Sequence, residues 1–223
     1  NFYLSFSGGK DSTVLLDIAR KEFPDIEAVF VDVPTQYPEL KQFATYLDLK
    51  LFVDELCSNL VFAIDSEVFE EAIKKLGVYF GFESQRPDLE YKTGPDNLWH
   101  FGNGTFFLIE CKNDVAIDRK EISKTEVGQM SNHINWFEDH YPEVKSCTNI
   151  WVHPANTISP LANLGKKAYT ITPGKLDNLR KAILKYTSEF QGVDLISVSD
   201  EFIQKLIKQY KHLIYLFCLY FLY

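Results

Sequence analysis

The chain has 223 residues, enough for one domain of ordinary size or two small ones. With 46% hydrophobic and 24% charged residues it is too apolar for disorder, and 18 Phe and 12 Tyr supply a large buriable area. A net charge of -8 excludes a surface that attracts nucleic acid as a whole, so any such site has to be a local patch or be neutralised by metal.

Residues 2–6 read as a short buried strand, 7–12 as a turn, and 13–22 as a helix with Val14, Leu15, Ile18 and Ala19 at helical spacing. Residues 28–33 form a second apolar strand closed by Pro34, and 38–47 a helix with Pro38 near its start. Strand, helix, strand and helix make one parallel βαβ unit plus a helix. The pattern then changes. Residues 52–64 are apolar and helical, and Asp65 and Ser66 can cap a further helix with Val68, Phe69, Ala72, Ile73 and Leu76 on one face, ending at Gly77. Residues 84–97 are polar and turn-rich. Residues 98–101 and 105–112 read as the arms of a hairpin turning at Gly102, Asn103 and Gly104. A long helix is predicted over 122–140, strands over 149–153 and 168–171, a basic amphipathic helix over 175–190 and a last helix over 200–213.

The ends carry their own expectations. The chain opens at Asn1 and reads as a strand at once, the pattern of a fragment or a processed product. It shows no charged-then-apolar leader, so secretion is not expected. Residues 213–223 are apolar throughout, but eleven helical residues span only about 16 Å, half a bilayer core, so no complete membrane span is expected. A docked terminal helix or a misread tail is the expectation, a truncated anchor the alternative. Cys57, Cys111, Cys147 and Cys218 lack CxxC or CxxH spacing, which argues against structural zinc and disulfides and fits a cytoplasmic location.

Two constellations carry chemistry. In the first, Ser7, Gly8, Gly9, Lys10, Asp11 and Ser12 join a strand to a helix. Glycines let backbone amides face a phosphate, the helix N-terminus adds donors, and Lys10 adds a point charge. The string resembles the PP-loop of ATP pyrophosphatases. With Ala28 to Asp32 and Tyr37 to Leu40, it resembles the phosphoadenosine phosphosulfate reductase branch of that family. The resemblance implies that Ser7 to Ser12 bind the phosphates of ATP or another adenylyl nucleotide, with Asp32 nearby. It covers residues 1–48, a partial unit with two strands, and no reductase cysteine motif is found near the C-terminus. Two strands bury too little to stand alone, which argues against retained tight binding and leaves the pocket open on one side.

In the second, Asp96 begins one hairpin arm and Glu110 lies near the end of the other, so antiparallel pairing brings them together. Glu110 and Lys112 share one strand face, while Cys111 points the other way. Two carboxylates beside a lysine suit Mg²⁺ or Mn²⁺, hard cations that take oxygen ligands. Asp96 and Glu110 are therefore expected within about 6 Å of each other, the span of a shared ion. With the Phe106 to Ile109 run and Gln129 on the next helix, the pattern resembles the PD-(D/E)xK restriction-endonuclease-like superfamily, including RecB-like members.

That resemblance spans residues 60–190. It implies Asp96 and Glu110 as metal ligands, Lys112 as the catalytic lysine, Gln129 as the helix glutamine, and DNA as partner. His133 stands where the RecB-like pattern has Tyr. Of Glu67, Glu70 and Glu71 on the preceding helix, Glu71 is chosen as a further acid, against the alternative of a solvated face. Lys166, Lys167, Lys175, Arg180, Lys181 and Lys185 give a basic patch that either meets phosphates or is a solvated helix face. Trp136 and Phe137 read as core, and His100, His140 and His153 as ordinary.

The expected fold is α/β, a restriction-endonuclease-like mixed sheet flanked by helices. A partial PP-loop βαβ unit (1–48) precedes the nuclease domain (49–192), and a C-terminal helix and apolar tail (193–223) follow it. The expected activity is metal-dependent phosphodiester hydrolysis of DNA. Two alternatives stand beside it: a PP-loop nucleotide-binding protein of adenylyl or sulfur chemistry, and an inactive fused or truncated interaction domain. The sequence does not set the oligomeric state.

Overall fold

The computed structural model describes residues 3–6, 19, 21, 27–30, 38–101, 104–144, 146–193, 199, 201 and 205. The chain forms two compact units, residues 1–53 with 185–208 and residues 54–184 with 209–223. In the first, β1 (Tyr3–Phe6) and β2 (Glu27–Phe30) pair in parallel, the pairing a βαβ unit requires. Helix α1 (Pro38–Asn59) is a single 22-residue helix where two were expected. No Gly or Pro lies between residues 47 and 52 to break it.

The second unit holds a five-stranded mixed sheet flanked by helices. Helix α2 (Ser66–Tyr79) leads to β3 (Glu83–Gln85), the short helix α3 (Pro87–Glu90), β4 (Asn97–His100) and β5 (Thr105–Cys111). Helix α4 (Lys124–His140), β6 (Ser146–Val152), β7 (Ala168–Ile171) and α5 (Pro173–Ser188) follow. The sheet order is β3-β4-β5-β6-β7, antiparallel as far as β5 and parallel from β5 to β7. Strand β3 and helix α3 lie in the segment expected to be turns only. They are too short for period reading, although Pro87 stands at the first helical position. Strand β6 starts at Ser146 and α5 at Pro173, each earlier than expected. The helices expected at 13–22 and 200–213, the hairpin tip at Gly102 and Asn103, and the tail at 213–223 lie wholly or largely outside the described residues. Among the described residues no helix is long and apolar enough to cross a membrane.

Local sequence explains the flanking helices. Asp65 caps α2 by accepting from the Val68 N–H at 3.1 Å, and Phe69, Ala72, Ile73 and Leu76 are buried along one stripe. Ser123 and Glu126 form a reciprocal capping box at the start of α4. Val127, Met130, Ile134 and Phe137 then pack with Leu98, Phe106, Leu108 and Trp151 in one core cluster. Strand alternation puts Trp99, Phe107 and Ile109 on the opposite face. There Gly77 lets α2 approach the sheet: a Cβ would meet Ser84 Oγ and Trp99 Nε1, each at 2.7 Å.

Gly77→Val is therefore expected to cost about 2 kcal/mol of unfolding free energy through overpacking. Gly128→Ala on α4, with nothing within 4 Å of its added Cβ, should gain about 0.5–1 kcal/mol of helix propensity. Urea unfolding of both variants checks the pair. A neutral Gly77→Val would show that α2 does not approach the sheet this closely.

Candidate active site

The hairpin delivers the first groups. Asn97 pairs with Ile109, so Asp96 stands opposite Glu110 at the end of the ladder. The Cys111 N–H donates to Asp96 Oδ2 at 2.6 Å, fixing that carboxylate against β5. Alternation along β5 sets Phe106, Leu108, Glu110 and Lys112 on the face covered by α4. Glu110 is wholly buried. Its Oε1 accepts from Lys112 Nζ at 2.9 Å, and its Oε2 lies 2.6 Å from His133 Nδ1 on α4. A buried carboxylate requires such partners, and here each oxygen has one. Sequence reading missed His133 as a partner, although it faces the site four residues after Gln129 as the motif spacing implies.

Helix α2 contributes Glu70 rather than Glu71, which corrects the choice of acid. Glu70 follows buried Phe69 and precedes buried Ile73 by three, so it flanks the apolar stripe and its side chain is 13% exposed. Glu71 turns outward, 44% exposed, and Glu67 is exposed. Ligand atoms of Glu70, Asp88 and Asp96 lie within 4.8 Å of one another, a set of hard oxygen donors fit for a divalent cation. Asp88 comes from α3 and was not foreseen. Neither was Arg86, almost fully buried, whose guanidinium bonds Glu70 and lies 3.8 Å from Asp88. Glu110 lies outside this trio, but its carboxylate retains lone pairs beyond those facing Lys112 and His133. Gln129 lines a cavity with Asp88, Asp96, Asn132 and His133.

The acids repel one another. Burial first, then the charge of Glu110, pushes the Asp96 carboxyl up to about 8, against the Cys111 N–H. Burial raises Glu70 to about 7, outweighing Arg86. Burial pulls Lys112 down, but the Glu110 carboxylate outweighs it and leaves the ammonium above its ordinary value. Lys112 is thus a cation and a donor at neutral pH. Crowded acids of this kind favour a cation among them.

Phe137 is core, while Trp136 is partly buried and lines the same cavity. His100 pairs with Glu83 at 2.9 Å and His140 stacks on Trp136. His153 is wholly buried, its Nδ1 accepting from the Ala155 N–H and its Nε2 3.6 Å from Glu126 Oε1. The basic patch is largely engaged locally. Lys166 pairs with Glu138, Arg180 and Lys181 with Asp177, and Lys167 lies over the Tyr169 ring. Ser7, Gly8, Gly9, Lys10, Asp11, Ser12 and Asp32 lie outside the described residues.

Residues 1–86 match the phosphoadenosine phosphosulfate reductase domain family, extending beyond the stretch 1–48 that carried the resemblance. Among solved structures the chain is similar to restriction endonuclease FokI, with a TM-score of 0.41 and 8% identity. That similarity covers 81% of this chain and 36% of the other, so the chain spans about a third of FokI. No curated protein matches the sequence.

Asp96 and Glu70 both hold a proton more tightly folded than unfolded. Their stability contribution is complete below the ordinary carboxylate range, near about pH 4, and is lost as pH rises through about 7 to 8. In chelating buffer the melting temperature is expected to fall between about pH 5 and pH 8. Asp96→Asn should flatten that slope. A wild-type melting temperature that rises across the window would contradict the crowding of these acids.

Proposed function

We propose that this protein is a metal-dependent nuclease that hydrolyses phosphodiester bonds in DNA. The observation that carries this reading is the convergence of Asp96, Glu110, Lys112, Glu70 and Asp88 at one end of one hairpin. DNA is the substrate class because the Asp96, Glu110, Lys112 and Gln129 pattern resembles that of DNA-cleaving enzymes.

Asp96, Glu70 and Asp88 would hold a divalent ion of the Mg²⁺ or Mn²⁺ type, with Glu110 adding a lone pair. Bound there, such an ion would offset phosphate charge and lower the pKa of a water molecule. Lys112, protonated, would donate to the attacking water and to the oxygen on which negative charge develops. Its role is orientation and charge stabilisation, because a group with a raised pKa is a poor proton acceptor at neutral pH. His133 holds Glu110 from the other side, and Gln129 positions the substrate strand. Arg86 restrains Glu70 and Asp88 when no other cation neutralises them.

A second reading has its own support, because the reductase-family match over residues 1–86 includes the Ser7 to Ser12 loop. It makes that loop a nucleotide-phosphate site. Tight ATP binding lost on Lys10→Ala would favour it over the nuclease reading if no DNA is cleaved.

Single-stranded, nicked and duplex DNA incubated with Mg²⁺ or Mn²⁺ tests the leading proposal, and cleavage should stop on chelation. Asp96→Ala should abolish metal binding and most activity, and Glu110→Ala most activity. Lys112→Ala should retain metal binding while lowering kcat by about a hundredfold or more. Gln129→Ala should have a smaller effect. Folded protein that leaves all three DNA forms intact with both metals would sink the proposal.

A further inference from the structure

A cavity of about 450 Å³ opens onto the acid cluster, since Asp88 and Asp96 contribute to its lining. Its other walls are of different chemistry: Lys92, Thr93, Gln129, Asn132, His133 and Trp136, with Gly94 beneath. The volume falls in the range of small-ligand sites and is several times that of a phosphate group, and the site is open on the side of the exposed Lys92, Thr93 and Asn132. The donors are mostly neutral, which suits a polar heterocycle better than a bare anion.

The Trp136 wall is held in place. Gly94 has φ +98°, and a Cβ there would meet the Trp136 ring at 3.0 Å and Pro87 Cβ at 2.9 Å. The Trp136 ring also stacks on His140 with centroids 4.4 Å apart. Lys92 has φ +61°, a left-handed conformation that is uncommon outside glycine and found where backbone geometry serves a site. Gln129 and Asn132 are three apart on α4 and so share a helix face. A carboxamide presents a donor and an acceptor side by side, the complement of adenine N6 and N7.

We infer that this cavity is a nucleoside pocket with a preference for adenine, taking the base next to the phosphodiester that is cut. The inference rests on the nuclease reading. Asn132 and Gln129 contact the base edge, Trp136 and Gly94 form a rigid wall, and Lys92 meets a flanking phosphate.

Isothermal titration of the full chain in Ca²⁺ tests the pocket. The probes are the four deoxynucleoside 5′-monophosphates and deoxyribose 5-phosphate. Deoxyadenosine monophosphate should bind about tenfold more tightly than deoxyribose 5-phosphate, the scale of one bidentate base contact. Asn132→Ala should remove that preference and leave deoxyribose 5-phosphate binding unchanged. Lys92→Ala should weaken all the probes alike. Lys10→Ala should leave the difference between deoxyadenosine monophosphate and deoxyribose 5-phosphate in place, which separates the pocket from the N-terminal loop. Equal affinity for all the probes, a preference that survives Asn132→Ala, or one lost on Lys10→Ala would overturn the inference. DNA cleavage without adenine preference would sink the pocket alone, whereas adenine preference removed by Asn132→Ala without cleavage would sink the nuclease reading alone.

Discussion

The Glu110 carboxylate has no exposed surface, and the site is organised by that burial. An unpaired ion there would cost several kcal/mol, so its neighbours are constrained. Lys112 must sit two residues on, just past the end of β5, and His133 must reach over from α4. The helix in turn is fixed by its apolar face and by the Ser123 and Glu126 capping box. Sheet, helix and Lys112 are therefore bound to one another through a single side chain. Removing either partner leaves one carboxylate oxygen buried without its partner.

The sheet divides the labour. On the α2 face, Trp99, Phe107 and Ile109 are buried apolar groups close beneath a helix brought near by Gly77. On the α4 face the strands begin apolar, at Phe106 and Leu108, and turn polar only at Glu110 and Lys112. The polar groups thus appear where the hydrophobic contact between sheet and helix ends. Glu70, Arg86 and Asp88 meet Asp96 at that boundary from α2 and the short α3, and Arg86 keeps two acids partly neutralised.

Much of this was written in local pattern. The hairpin arms, the shared face of Glu110 and Lys112, and the helix over 122–140 follow from alternation and helical period, which are properties of a few adjacent residues. Glu70 was legible too. Its place beside Phe69 and Ile73 sets it at the margin of the apolar stripe, whereas Glu71 falls on the far side, and helix phase alone separates them. Asp88 and Arg86 were not legible, because they lie where strand and helix are three and four residues long and no period develops. The pairing of His133 with Glu110 depends on how closely α4 packs on β5, a tertiary distance that no sequence interval encodes. The continuity of α1 was readable from the lack of a breaker.

Strands β4 and β5 place the acids at the open end of a hairpin, while the Phe101 N–H bonds the Thr105 carbonyl near its tip. Five residues of extended chain, about 17 Å, separate Asp96 from Phe101. The sequence between Phe101 and Thr105 is Gly102, Asn103 and Gly104, short in side chains of any kind. The tip can accordingly carry a fluorophore, an affinity tag or a tethering peptide. It offers a handle by which the molecule could be immobilised or watched while the carboxylates at the other end stay in place.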